Sequence, residues 1–152
     1  MKVKKIDCVA RIVANGEIAP GFWRMVLQAP ALGQRIRPGQ FFQLRIRPES
    51  DHPFLRRPFS PSEISAQGVA FVYAVVGAGT RMMTMLNRGG VVSVLGPLGN
   101  GYRLAPRRRR ALLIGGGCGA PSLRPLAEFL VRRGVEVFAV CLLYTSPSPR
   151  DS

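Results

Sequence analysis

The sequence predicts a mainly β barrel followed by the first, incomplete βαβ unit of an α/β domain, and three observations carry that reading. Through the first two thirds of the chain, short alternating apolar runs are separated by Gly and Pro, the pattern of half-buried strands joined by turns. After Arg110 the pattern changes to a continuous apolar run, a glycine-rich turn and a helical repeat, which is the order of a βαβ unit. From Cys141 the chain turns polar and proline-punctuated, and no further strand or helix pattern follows.

Val3–Val13 reads as the first strand, and Gly21–Gln28 as the second after the turn at Ala19-Pro20-Gly21. Pro38-Gly39 punctuates before Gln40–Ile46, where Phe42, Leu44 and Ile46 fall on one face. Val69–Val76 and Val91–Leu95 follow as further strands. Strands this short must close into a barrel or stack as a sandwich to bury their apolar faces. One helix interrupts them. From Thr80 to Asn87, Met82, Met83 and Leu86 recur at three-to-four spacing, and Gly89-Gly90 ends the run. That helix is expected to plug one end of the barrel.

In the second part, Ala111–Ile114 has the continuous apolar character of a buried parallel strand. A helical pattern over Ser122–Arg133 puts Leu123, Leu126, Ala127 and Leu130 on one face, Gly134 stops it, and Val135–Val140 supplies the next strand. A single βαβ unit cannot bury both faces of its two strands, so it requires companions. The ending Cys141–Ser152, CLLYTSPSPRDS, is out of register with all that precedes it. It reads as translated sequencing-adapter read-through on a truncated gene model, in preference to a natural flexible end.

Composition narrows the function classes. No apolar run approaches the roughly 20 residues of a membrane-spanning helix. Met1–Asp7 is charged and leads straight into alternating apolar positions, unlike a signal peptide, so a cytoplasmic location and no membrane partner are expected. The cysteines Cys8, Cys118 and Cys141 are widely spaced and form no CxxC pair, so neither a disulfide framework nor a metal site is expected. The formal net charge of +14 raises nucleic acid as a partner. The excess is spread through the chain, however, and only Arg107–Arg110 form a run, with no aromatic residues interleaved as a stacking platform requires. A basic face that attracts phosphate-bearing cofactors or an acidic partner protein fits this distribution better.

The strongest local signal is Arg56-Arg57-Pro58-Phe59-Ser60, placed where a strand would enter a loop. The set suits a flavin: a guanidinium for pyrophosphate, a ring against the flavin system and a hydroxyl near the redox-active edge. Taken alone it equally describes a surface turn with a basic pair. Downstream, Gly79-Thr80 opens the helix, and a glycine at a helix start lets an anion approach free N–H groups. Gly77 and Gly79 around Ala78 would equally serve a plain turn and cap. The loop Gly115-Gly116-Gly117-Cys118-Gly119-Ala120-Pro121 is a strand-to-helix turn that permits close ligand approach, although it is not a GxGxxG fingerprint and glycines there also serve tight packing. Cys118 within it is expected to be a small packing residue rather than a redox thiol.

In order along the chain, Arg57-Pro58-Phe59-Ser60, Val72-Tyr73-Ala74 with Val75 to Thr80, Gly96-Pro97-Leu98-Gly99-Asn100-Gly101 and Gly115 to Pro121 resemble the ferredoxin–NADP reductase superfamily. The Gly96–Gly101 stretch narrows the resemblance to the electron-transfer subunits of type B dihydroorotate dehydrogenases. The resemblance covers about Val3 to Val140. It implies a mainly β, FAD-binding Greek-key barrel over 1–104 and the start of a nicotinamide-nucleotide-binding domain over 105–140, which leaves 141–152 as the non-native tail read from its own residues. It implies that Arg57, Pro58, Phe59 and Ser60 line the flavin, that Val72, Tyr73 and Ala74 form the strand facing it, and that Gly79 and Thr80 bind its pyrophosphate. Position 74 often carries a basic residue in such proteins, and Ala74 leaves that contact out. Gly115, Gly116, Gly117 and Gly119 would lie beneath the nicotinamide nucleotide. No catalytic side chain and no metal ligand is assigned.

The implied activity is hydride transfer from NADH to FAD, then single-electron transfer through a [2Fe–2S] cluster to the flavin of a catalytic dehydrogenase partner, in pyrimidine biosynthesis. The cluster's ligands would come from a Cys-rich segment that this sequence lacks. Two other readings compete. One is a different reductase subunit of the superfamily, sulfide dehydrogenase or hydrogenase-associated; the other is a basic binding module without catalysis.

Overall fold

The computed structural model describes residues 5–46, 55–104 and 109–142. The first part is a seven-stranded antiparallel sheet in the order β4-β3-β7-β1-β2-β6-β5. Its strands are β1 Ile6–Ala19, β2 Phe22–Gln28, β3 Phe41–Arg45, β4 Arg57–Phe59, β5 Glu63–Ser65, β6 Gly68–Ala74 and β7 Val91–Leu98. A short helical turn, α1 (Pro30–Gly33), follows β2, and the helix α2 (Ala78–Thr84) follows β6.

Alternation builds the core. Ala10 and Ile12 of β1, Met25 and Leu27 of β2, Phe42 and Leu44 of β3, Val69 and Phe71 of β6, and Val92 and Val94 of β7 are all buried on the inner face. Each large side chain among them stabilises the fold by roughly 1.5–3 kcal/mol through burial. The sheet curls over this core. Phe59, on the edge strand β4, places its ring 6.2 Å from both Phe71 and Tyr73 of β6, near the opposite edge. Met83 of α2 and Leu32 of α1 close the core and are buried, as expected for a plugging helix.

Several boundaries differ from the sequence pattern for identifiable reasons. β1 continues to Ala19 because Asn15, Gly16 and Glu17 pair with Met25, Arg24 and Trp23 of β2, a register that hydropathy alone does not mark. The expected start at Val3 lies outside the described residues. β7 runs on to Leu98, where it pairs with Phe41. β4 and β5 were too short to show a period; β4 holds Pro58 because an edge strand tolerates a residue without an N–H. The helix expected over Thr80–Asn87 begins at Ala78 and ends at Thr84, and Leu86 packs on the core from beyond its end.

In the second part, β8 (Arg110–Gly116) pairs in parallel with β9 (Glu136–Leu142). Between them a 3-10 segment, Gly117–Leu123, leads into α3, Arg124–Val131. The α-helix expected from Ser122 starts later because Pro125 has no N–H to bond back into a preceding turn and fits only the first turn of a helix. Gly134, at φ 73°, ends the descent after α3. Leu126 and Leu130 pack with Leu113 beneath α3, supported by Leu123 and Ala127. β8 is thus covered on one face only. Leu112 and Ile114, with their register partners Phe138 and Val140 on β9, remain exposed on the other. β9 extends through Cys141 and Leu142, beyond the expected end at Val140; residues 143–152 lie outside the described residues, as do 105–108 with Arg107 and Arg108.

Candidate functional site

A cleft of about 300 Å³ opens between the curled sheet and the 3-10 segment. Pro58, Phe59 and Ser60 at the end of β4 and Val72, Tyr73 and Ala74 on β6 form one wall, while Val76 and Thr80 close the end next to α2. Cys118, Gly119, Pro121 and Ser122 form the facing wall. Four sequence segments spread over sixty-five positions, from 58 to 122, therefore meet in one place. A larger groove of about 630 Å³ runs past Val26 and Ala70 towards Arg88. It holds none of the residues singled out from the sequence, and its size alone assigns it no chemistry.

The basic pair of the Arg56-Arg57 motif divides. Arg56 is fastened into the sheet: its Nη2 donates to both carboxylate oxygens of Asp7 at 3.0 Å and to Ser93 Oγ at 2.9 Å. Arg57 instead carries its guanidinium onto the Cα of Gly79 and donates from Nη1 to the Leu55 carbonyl at 2.8 Å. A Cβ at position 79 would collide with that guanidinium, which gives the glycine a steric reason. Thr80 acts as a brace. Its hydroxyl oxygen accepts the N–H groups of Val76 at 2.9 Å and Gly77 at 3.1 Å, fixing the entrance to α2.

Register separates the other candidates. On β6, Val72 and Ala74 face away from the core, whereas the Tyr73 ring is buried within it. The Tyr73 hydroxyl donates to Asn15 Oδ1 at 3.0 Å, and burial pushes its pKa up to about 12. Phe59 is half-buried against Phe71 and Tyr73, so its ring is committed to the sheet's inner side. Pro58 and Ser60 are exposed at the cleft. Of the four glycines in the loop, Gly119 alone lines the cleft. Gly115 serves packing, since a Cβ there would stand 2.8 Å from Leu123 Cδ1 and 2.9 Å from Ala120 Cα. Gly116 and Gly117 are exposed and line no part of the cleft. Cys118 departs from the packing role expected of it: it is exposed, because the 3-10 turn directs the segment outward along the cleft.

Two residues that sequence reasoning did not single out support this site. Asn15, in the extension of β1, donates to the carbonyls of Met83 at 2.7 Å and Leu86 at 2.9 Å and accepts from Tyr73, tying β1, β6 and the end of α2 together. Glu63 on β5 accepts Nε and Nη2 of Arg24, both at 2.8 Å, and pairs with Arg124 Nη1 of α3 at 3.2 Å. Hydrogen bonding from Arg24 holds its carboxyl below the usual carboxylate range. A polar residue inside a strand carries no sequence signal of such a task. Among the described residues, no group of three or more His, Cys, Asp or Glu side chains is placed to hold a metal, and no helix is long and apolar enough to cross a membrane.

No protein-family model matches the sequence. The chain is 39% identical over 134 residues to the dihydroorotate dehydrogenase B (NAD(+)) electron transfer subunit of Bacillus velezensis, which covers 85% of this chain and 52% of that protein. It is 41% identical over 133 residues to the protein of the same name from Geobacillus thermodenitrificans, covering 85% of this chain and 51% of the relative. Among solved structures, an NADH-dependent reduced ferredoxin-NADP oxidoreductase, described for flavin-based electron bifurcation, superposes with a TM-score of 0.78 at 27% identity, over 91% of this chain and 50% of that one. The curled sheet and the parallel pair define a ferredoxin reductase-like fold, with the cleft between them. Within that superfamily, the chain is similar in sequence to dihydroorotate dehydrogenase B electron transfer subunits. It spans about half the length of the relatives it matches.

Proposed function

We propose that this chain is the FAD-binding portion of an electron-transfer subunit, with residues 1–104 forming the flavin domain and 105–140 the start of the nicotinamide domain. The observation that carries this reading is the single cleft in which the Pro58–Ser60, Val72–Ala74, Thr80 and Cys118–Ser122 segments meet. The residues present fit a flavin. Pro58, Val72 and Ala74 offer an apolar wall, Ser60 and Ser122 supply hydroxyls, and the volume of the cleft is in the range of small-molecule sites. FAD when bound supplies the capacity to take two electrons from a nicotinamide and release them singly.

The side chains have distinct tasks in this proposal. Arg57, seated over Gly79, binds pyrophosphate, with Gly79 permitting the seat and Thr80 holding the start of α2 beside it. Pro58 and Ser60 orient the ring system, Val72 and Ala74 exclude water from its face, and the Phe59 and Tyr73 rings support that wall from within. Gly119 and its neighbours Cys118 and Ser122 border the side from which a nicotinamide would approach, and Gly115, Gly116 and Gly117 shape the loop that carries them. In the parent protein we assign NAD(H) as substrate, a [2Fe–2S] cluster held by cysteines outside this sequence, and a catalytic dehydrogenase subunit as partner, in the cytoplasm. The net charge of +14 supports an acidic partner or phosphate-bearing ligands.

Reconstitution with FAD tests the reading. The purified chain is expected to retain FAD with a flavin absorbance spectrum and to be reduced poorly by NADH, because much of the nicotinamide domain lies in the half of the relatives that this chain does not span. A colourless protein that never retains FAD refutes the first part. Rapid, saturable bleaching by NADH refutes the second.

A further inference from the structure

We infer that Glu63 is a positioning residue that latches the nicotinamide side of the cleft to the flavin side, an inference that rests on the function proposed above. The carboxylate sits between two units of the fold. From the sheet, Arg24 on β2 grips it with two hydrogen bonds of 2.8 Å. From the second unit, Arg124 reaches it at 3.2 Å and is itself held by Glu128 at 2.9 Å. Arg124 is the first residue of α3 and follows the cleft-lining Ser122 by two positions. A contact that fixes Arg124 therefore fixes the end of the 3-10 segment whose other residues, Cys118, Gly119 and Pro121, form the facing wall.

The pairing has the geometry of a latch. The bidentate Arg24 contact aligns the carboxylate on a strand, so only the Arg124 arm needs to form or break when the two units shift. Glu63 has a side-chain exposure of 30% and Arg124 of 59%, so water and salt reach the moving arm while the fixed arm is more sheltered. The arm is therefore weak enough to open and specific enough to select one closed position. β5 and β2 both pair with β6, which forms one wall, and α3 follows directly on the 3-10 segment that forms the other, which makes Glu63 a determinant of cleft width from outside the cleft itself.

The test uses the full chain with Cys8→Ser, Cys141→Ser and Val9→Cys, so that spin labels sit on exposed position 9 of the sheet and on Cys118 of the facing wall. Arg124→Gln leaves the Arg24–Glu63 pair intact and is expected to broaden the label-to-label distance distribution, with the undocked population raised roughly twofold to fivefold, as an ion pair of this exposure supports. Glu63→Gln should broaden it alike, the two together no more than either, and Arg124→Lys should narrow it again. FAD affinity of the unlabelled chain and its Arg124→Gln variant, read by quenching of flavin fluorescence, should fall in step while the melting temperature of the sheet stays put. An unchanged distance distribution in Arg124→Gln overturns the latch. A wild-type chain that never binds FAD, with labels that still respond to Arg124→Gln, overturns the functional reading and the role with it while leaving the geometry.

Discussion

Gly79→Ala is the most informative single substitution, because the structure separates its effect on the fold from its effect on Arg57. Position 79 is helical and has no left-handed φ, so alanine is conformationally acceptable there. Alanine in a helix is favoured over glycine by roughly 0.5–1 kcal/mol. The atoms nearest to the added Cβ are Nε, Cζ and Nη2 of Arg57, the far end of a flexible side chain that can swing aside. Global stability is therefore expected to be unchanged or slightly higher. The guanidinium, however, loses its seat over Gly79, the neighbour in sequence of the cleft-lining Thr80.

A hydrogen bond to a charged group contributes about 1.5–3 kcal/mol. If Arg57 holds the pyrophosphate, displacing it should weaken FAD binding by about tenfold to a hundredfold. Fluorescence titration of FAD into the apo chain measures this directly, with urea unfolding as the control for stability. Arg57→Ala should produce a loss of the same size, and the double variant should be no worse than Arg57→Ala alone, since both changes remove one contact. Unchanged FAD affinity in Arg57→Ala would refute the assignment of Arg57. An affinity lost in Arg57→Ala but retained in Gly79→Ala would show that the guanidinium works from some place other than its seat on Gly79.

Three further outcomes follow from particular contacts. Asn15→Ala removes three partly buried hydrogen bonds and leaves the Met83 and Leu86 carbonyls without that donor, so the urea midpoint should fall by the equivalent of about 2–3 kcal/mol at constant m-value. Tyr73 should titrate near pH 12 by absorbance at the tyrosinate band, a component that Tyr73→Phe deletes. Its folded pKa lies above the unfolded value, so the stability it contributes is complete below about pH 10 and is lost as pH rises towards 12. Finally, replacing Leu112 and Ile114 together by Thr should reduce self-association measured by light scattering, with little change in stability, because both side chains are more than 60% exposed.

Much of the fold was legible because burial imposes a period. Phe42, Leu44 and Ile46, predicted to share a face, are buried to within 1%, and Leu123, Leu126, Ala127 and Leu130 all pack beneath α3 as their spacing required. What hydropathy could not show was pairing. The continuation of β1 past Val13 depends on β2 lying beside it, and Asn15 in that continuation looks like a turn residue until its partners are known. The three-residue strands β4 and β5 fall below the length at which alternation is detectable. The apolar run at Ala111–Ile114 has the character of a buried parallel strand, and because a single βαβ unit cannot cover both faces, α3 shelters Leu113 while Leu112 and Ile114 stay exposed.

The candidate site shows the same division at the scale of single residues. Its motifs were visible as segments, because proline, glycine and paired arginines are conspicuous in a sequence, but their tasks follow from which way each side chain points. Arg56 and Arg57 are adjacent and chemically identical, yet Arg56 stands just before β4 and Arg57 is its first residue, and their side chains part. One meets Asp7 and Ser93 and is tied to the sheet, while the other meets Gly79 at the start of α2. Val72, Tyr73 and Ala74 divide in the same way, two towards the cleft's face and one into the core. A shift of one residue in the pairing of β4 or β6 would exchange these roles without altering the motif. The registers Leu44 with Arg57 and Trp23 with Tyr73 are thus as much a part of the site as the residues that line it.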